Sequence, residues 1–227
     1  LLLVHVDLRG QFLFVAGIGF RHFHALGTGA VALTAVAALA VTAWNTCVRP
    51  RAPRLDLELV PFGPTTAEDA IRGELDLAIA GADVPNIDDR YVVKPFLTET
   101  FVSVVRSGHP LSRRKVSLSR FAALDHVLVI TGSGQVSSVD RKLKAHGLSR
   151  RIALRVPSFW TALHAVHDSD AVTTLPKRFV DIAASDLTTL RLTDEIPGFS
   201  LNLVWHPRNT TSARHRFVRE ALLGWAG

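Results

Sequence analysis

The chain has 227 residues, enough for one large or two small domains, and 48% of them are hydrophobic, ample for a core. A net charge of +6 fits a nucleic-acid-associated protein, but an arginine-rich composition gives the same balance without that role. The single cysteine, Cys47, excludes an internal disulfide and any cysteine-based structural zinc site, which suits a reducing compartment; methionine is absent throughout.

Residues 1–50 carry only four charges, Asp7, Arg9, Arg21 and Arg49, and Ala25 to Ala43 is an uncharged run of nineteen. That length approaches the ~20 residues of a membrane helix, but the run is only mildly hydrophobic, being alanine, threonine, glycine and valine with few leucines. Arg21 and His22 ahead of it, with small residues at Val41 to Ala43, resemble a secretory signal placed far from the first residue. We read the run as a buried alanine-rich helix from about Ala30 to Trp44, with no membrane span.

From Arg54 the pattern becomes orderly. Leu55 to Val60 alternates strictly, as a strand with one buried face does, and Pro61 to Pro64 turns out of it. Thr65 or Thr66 caps a short helix through Arg72, and Leu75 to Ala80 is the next strand, so the pair predicts a right-handed parallel crossover. Tyr91 to Arg106 is a long apolar run broken near Thr98-Glu99, whose second half is a strand. A turn at Ser107 to Leu111, a short helix at Leu118 to Ala123 and a strand at Asp125 to Ile130 follow. Thr131-Gly-Ser-Gly134 closes that strand, and Val139 to Gly147 is a helix stopped by its glycine.

Arg151 to Pro176 then reads as strand, polar turn, helix and strand. Arg151 to Val156 alternates apolar and charged residues, Pro157 stops it, and Ser158 is placed to cap the helix. Trp160, Leu163, Ala165, Val166 and His167 supply that helix with its apolar side, Asp168 to Asp170 end it, and Ala171 to Leu175 is a short buried strand. Pro176 opens a helix over Lys177 to Ala184. Strands at Leu187 to Leu192 and Phe199 to Trp205, and an amphipathic helix from Ser212 to Trp225, complete the chain.

Signals for catalysis are poor. No HExxH or close histidine pair with a carboxylate occurs, and His164 and His167, three apart on one helix, are better read as surface or core histidines than as ligands. Thr131-Gly-Ser-Gly134 lacks the spacing and lysine of a phosphate loop, and Ser133 lacks the context of a hydrolase nucleophile. We expect no enzyme, no metal and no cofactor.

An ordered set of short motifs carries more. Arg106-Ser-Gly-His-Pro-Leu111, Asp125-His126, Val156-Pro-Ser-Phe159, Ser169-Asp170, Thr174-Leu-Pro-Lys-Arg178 and Leu203-Val-Trp-His-Pro-Arg208 together resemble the effector-binding domain of LysR-type transcriptional regulators. The branch they look most like answers to aromatic acids and flavonoids, and the likeness covers about Arg54 to Gly227. It implies an α/β chain of two Rossmann-like subdomains of the type 2 periplasmic-binding-protein fold, joined by two crossover strands near Phe101–Arg106 and Phe199–Trp205, with an inducer cleft. Subdomain I would be residues 54–105 plus 199–227 and subdomain II residues 106–198.

Residues 1–53 do not resemble the family's pattern and are expected to be an atypical segment from a truncated or frame-shifted gene. The helix-turn-helix through which such a regulator reads promoter DNA would then lie in another frame upstream. Because ligands meet the carboxyl ends of parallel strands, the candidate effector contacts are Phe62, Thr131, Ser133, Ser158, Phe159, Thr174 and Pro176. The hydroxyls would bond a carboxylate or phenol, and Phe62 and Phe159 would cover a ring. The resemblance implies a small-molecule inducer as partner, a homo-dimer or tetramer, and a cytoplasmic location. The alternative is a secreted periplasmic solute-binding protein of the same fold.

Overall fold

A computed structural model describes residues 2–6, 11–16, 33–59, 75–81, 90–130 and 137–226. The chain divides into two compact units, residues 1–98 with 199–227 and residues 99–198.

In the first unit β1 (Leu2–Val6), β2 (Gln11–Ala16), β3 (Asp56–Glu58), β4 (Leu77–Gly81), β5 (Val92–Glu99) and β13 (Phe199–Trp205) form one sheet in the order β3-β2-β1-β4-β13-β5. β1 and β2 pair antiparallel with Leu2 opposite Ala16, and β4 lies antiparallel to both β1 and β13. The hairpin corrects the expected topology. β3 and β4 are not neighbours, because β2 and β1 stand between them; β2 runs parallel to each. The proposed helix through Arg72 lies outside the described residues.

Helix α1 (Leu33–Ala43) lies within the expected helical run, whose first residues are outside the described ones, and passes into a π-helical turn, Trp44–Val48. Its 11 residues reach about 16 Å, half of a bilayer core, and no described helix is long and apolar enough to cross a membrane. Instead Ala40, Ala43, Trp44 and Val48 pack with Leu77 and Ile79 of β4, Leu201 and Leu203 of β13, and Val218 and Leu222 of the terminal helix Ala213–Ala226. That helix also buries His215 and Arg219, which would be costly without partners. Arg219 donates to the Asn209 carbonyl at 3.0 Å, the Thr210 carbonyl at 2.9 Å and His215 Nδ1 at 2.6 Å, and its guanidinium lies 4.5 Å from the Trp205 ring centroid. His215 Nε2 donates to the Asp76 carbonyl at 2.7 Å.

The second unit holds β6 (Phe101–Arg106), β8 (Asp125–Val129), β9 (Arg151–Val156), β10 (Val172–Pro176) and β11 (Leu187–Thr189) in the order β11-β6-β10-β8-β9. β10, β8 and β9 are parallel, while β6 runs antiparallel to β10 and β11 antiparallel to β6. β6, assigned from sequence to the first subdomain, thus hydrogen-bonds within the second unit's sheet. β9 and β10 flank β8, so the intervening α4 (Phe159–His167) belongs to a crossover that skips one strand. The α4 core face is Phe159, Ala162, Leu163 and Val166, the i, i+3, i+4, i+7 stripe. Trp160 and His167, expected on that side, are exposed because the stripe is registered on Phe159.

The single strand expected over Leu187 to Leu192 is two. Buried Leu190 donates its N–H to the Ser103 carbonyl at 2.8 Å, and the chain then leaves the large sheet as β12 (Arg191–Leu192), parallel to β7 (Lys115–Val116). α2 (Leu118–Ala122) and α3 (Ser138–Lys144) are capped by Ser117 and Ser137. Gly147, at φ +67°, ends the α3 region as expected: its N–H bonds the Lys144 carbonyl, and the Leu148 N–H reaches back to Leu143.

A polar network ties α3 to the sheet. The Arg150 side chain, 3% exposed, donates from Nε to Asp140 at 2.7 Å and from Nη2 to Ser137 at 2.9 Å and Asp140 at 3.0 Å. Its Nη1 lies 3.2 Å from Nδ1 of fully buried His126, whose Nε2 lies 2.9 Å from the Phe121 carbonyl. The carbonyl accepts only, so Nε2 carries the proton and Nδ1 accepts from Arg150. Burial and then the Arg150 charge depress the His126 pKa to about 4. The unfolded chain therefore takes up this proton first, and the stability due to neutral His126 is complete above ~6.5 and lost as pH falls toward 4. The advantage of wild type over His126→Gln should shrink across that window by up to about 1.4 kcal/mol per pH unit, read from urea melts at several pH values. A constant difference would contradict the neutral, buried assignment.

Candidate functional site

Parallel strands aim their carboxyl ends at one edge of the second unit's sheet, and antiparallel β6 brings its first residues to the same edge. Pro176 lies opposite Phe101, and Thr174 opposite Ser103, in the β10–β6 register. At the end of β9, Ser158 is extended (φ −145°, ψ 158°), and its Oγ accepts the Thr161 N–H at 3.1 Å as the α4 cap. The Ser158 and Thr161 hydroxyls are 2.8 Å apart, so the cap retains donor and acceptor capacity at a half-buried position. Ser158→Ala should cost about 1 kcal/mol in a chemical melt, the usual worth of such a cap; a cost below a few tenths would show that the cap is not made in solution.

Thr174 is half-buried, with Oγ1 2.8 Å from Oγ of buried Ser103, and Pro176 is buried at the start of α5 (Lys177–Ala183). Phe159 is only 8% exposed; its ring lies 5.4 Å from that of Phe179, and Trp160 meets Phe179 edge-on at 5.3 Å. Phe159 therefore packs against the α5 core, while Trp160 presents half its surface to solvent. Of the seven sequence-derived candidates, Ser158, Phe159, Thr174 and Pro176 stand at this edge, and Phe62, Thr131 and Ser133 lie outside the described residues.

Two groups at this edge escaped the sequence reading. Ser103 pairs with Thr174, and Glu99, 1% exposed, accepts the Thr100 N–H at 3.0 Å and the Arg178 N–H at 3.4 Å on Oε1. Glu99 Oε2 is 3.8 Å from Arg178 Nε and has no hydrogen-bond donor among the described residues. Burial pushes the Glu99 pKa up, against the pull of the Arg178 and Thr100 N–H groups and the Arg178 charge. The signal for it was the polar break at Thr98-Glu99 inside an apolar run. The edge thus offers hydroxyls, a buried carboxyl and an arginine, suited to binding a small polar molecule. Among the described residues the edge shows no nucleophile–base pair, and no cluster of His, Cys, Asp and Glu among them could hold a metal.

A shallow hollow of about 580 Å³ lies elsewhere, lined by Asp125, Val127, Leu154, Ala165, Ser169 and Ala171. Asp125 and Ala171 lie where β8 and β10 begin, so the hollow faces the amino ends of these strands, and Asp125 is already paired with Arg151. It has little with which to fix a ligand's orientation.

The pattern of the LysR substrate binding domain matches residues 30–227. The chain belongs to this family. The LysR pattern begins upstream of Arg54, the start expected from the sequence motifs, and so includes α1 and its π turn. Among curated proteins, the chain is 29% identical over 176 residues to the HTH-type transcriptional activator NagR of Ralstonia sp, covering 75% of this chain and 57% of NagR. The chain spans about half the length of the curated relatives it matches. Among solved structures, the CcmR regulatory domain of Synechocystis PCC6803 in complex with 2-PG aligns at TM-score 0.68 and 18% identity over 96% of this chain and 97% of that one. The effector-binding domain of QuiR in complex with shikimate aligns at TM-score 0.61 and 15% identity over 96% and 97%. The LysR chain thus has the α/β, type 2 periplasmic-binding-protein-like fold expected from its sequence.

Proposed function

We propose that the chain is the effector-sensing part of a LysR-type DNA-binding transcriptional regulator and takes a small carboxylate or aromatic acid. The observation that carries this reading is the LysR match along residues 30–227, in a chain whose curated relatives are transcriptional regulators rather than solute-binding proteins. The effector is held at the carboxyl edge of the second unit's parallel strands, with Ser158 and Thr174 bonding its oxygens beside Phe159 and Pro176; Thr131, Ser133 and Phe62 are further contacts proposed from the sequence alone. QuiR is described with shikimate, itself a carboxylate, which supports this ligand class. The two units are effector-binding subdomains I and II, and neither catalyses a reaction.

The regulator acts in the cytoplasm as a homo-dimer or tetramer and reaches promoter DNA through a helix-turn-helix. The effector works by binding one arrangement of that oligomer more tightly than another. A thermal-shift screen of aromatic and hydroxylated carboxylic acids tests the reading: at least one should raise the melting temperature in a saturable way, as a ligand specific to the folded state must. Uniformly flat melting temperatures would sink it.

A further inference from the structure

Charge is unevenly spread over this chain. Residues 99–198 carry fourteen Lys and Arg against nine Asp and Glu, and the remainder carries twelve against eleven. Many cations of the second unit are paired: Arg106 with Asp170, Lys142 with Asp194, Arg150 with Asp140, Arg151 with Asp125 and Lys177 with Asp181. Among the described residues no carboxylate pairs with Arg113, Arg114, Lys115, Arg120 or Arg191, all of which are exposed.

These five are close in the fold. Arg113 and Arg114 lead directly into β7, Arg120 follows in α2, and Arg191 in β12 is the register partner of Lys115. Like charges directly opposite in a ribbon repel and destabilise it. Arg191 adds to the crowding, since its Nη2 donates to the Arg113 carbonyl at 3.0 Å and so rests on the Arg113–Lys115 segment instead of a carboxylate. Of the two acids that follow the ribbon, Asp194 is engaged by Lys142 and by the Thr193 hydroxyl, and Glu195 is exposed without an ion pair to any of the five cations. A ribbon that concentrates unneutralised cations gains when a polyanion covers it.

We propose that Arg113, Arg114, Lys115, Arg120 and Arg191 form a surface that holds the sugar–phosphate backbone of duplex DNA. The sensor part then adds its own sequence-independent grip to a promoter complex. Identifying the polyanion as DNA rests on the regulator reading. A protein partner fits less well, because protein interfaces are anchored by buried apolar or aromatic side chains. The exposed large hydrophobic residues of this unit, Ile130, Leu154, Trp160 and Ile182, are outside the patch. Backbone phosphates require only charge and hydrogen-bond donors, which these side chains supply.

The test is fluorescence anisotropy of the whole chain with a labelled random-sequence duplex, titrated at several salt concentrations. Wild type should bind at low salt whatever the sequence, with affinity falling linearly in log–log form. Neutralising three patch cations together (Arg113→Gln, Arg114→Gln, Arg191→Gln) should reduce that slope by about 2 to 3, at ~0.9 per phosphate contact. Arg114→Gln alone should reduce it by about 1, which keeps the test available if the triple variant melts early. An equal charge change in the first unit (Arg49→Gln, Arg54→Gln, Arg216→Gln), at exposed positions, should leave the slope nearly unchanged. No duplex binding by wild type at low salt, equal losses in the two triple variants, or tighter binding of polyglutamate than of duplex would each overturn the proposal. Saturable melting shifts with carboxylic acids are read separately, so loss of DNA binding with that response intact refutes the patch alone.

Discussion

Replacing Arg150 with methionine should destabilise the domain by about 3 kcal/mol in urea unfolding, a larger effect than any surface substitution would give. Removing one partner of a buried pair costs ~3–5 kcal/mol because the other polar groups stay behind unsatisfied. Here the guanidinium serves Asp140, Ser137 and His126 at once, but Asp140 is 38% exposed and recovers some hydration, which favours the low end. The same contacts hold Asp140 below the usual carboxylate range, chiefly through its hydrogen bond with Arg150. Arg150→Lys should recover only part of the loss, since an ammonium keeps the charge without the planar fork that meets three partners. A cost below 1 kcal/mol for Arg150→Met would show that α3 is held to the sheet by its apolar side chains alone.

Gly198→Ala should cost up to about 3 kcal/mol, the upper range for overpacking, although it adds a single methyl. A Cβ built at Gly198 falls 1.9 Å from the Glu99 carbonyl oxygen and 3.0 Å from its carbon. Both are backbone atoms, so no side chain can rotate away and a strand must move. The position matters because the chain leaves the first unit between Thr98 and Glu99 and returns to it between Gly198 and Phe199. A near-neutral Gly198→Ala in thermal or urea melts would mean that the backbone there yields easily.

What was legible in sequence follows from which forces act locally. β9, the Ser158 cap, α4 and β10 were readable because alternation, a capping serine and a proline stop each act within a few residues. Gly147 was readable for the same reason: a positive φ favours glycine whatever surrounds it. Strand neighbours were not, since β1 and β2 entering between β3 and β4 is decided by contacts distant in sequence. The division of Leu187 to Leu192 depends on the Ser103 carbonyl, and the exposure of Trp160 on where the α4 stripe begins. At the candidate site, Ser158 and Thr174 were found by the rule about strand ends. Glu99 and Ser103 were missed because they act through partners at Arg178 and Thr174, more than seventy positions away.

The central claim, that the carboxyl edge of the second unit's parallel strands takes a small organic acid, is tested most directly by backbone amide NMR of the labelled chain. It is to be titrated with the acid that gives the largest melting shift. The account predicts saturable shifts concentrated at Thr131 to Ser133, Ser158 to Thr161, Thr174 and Glu99-Thr100. Shifts confined to the opposite end of the sheet, around Asp125, Leu154 and Ala171, would contradict it.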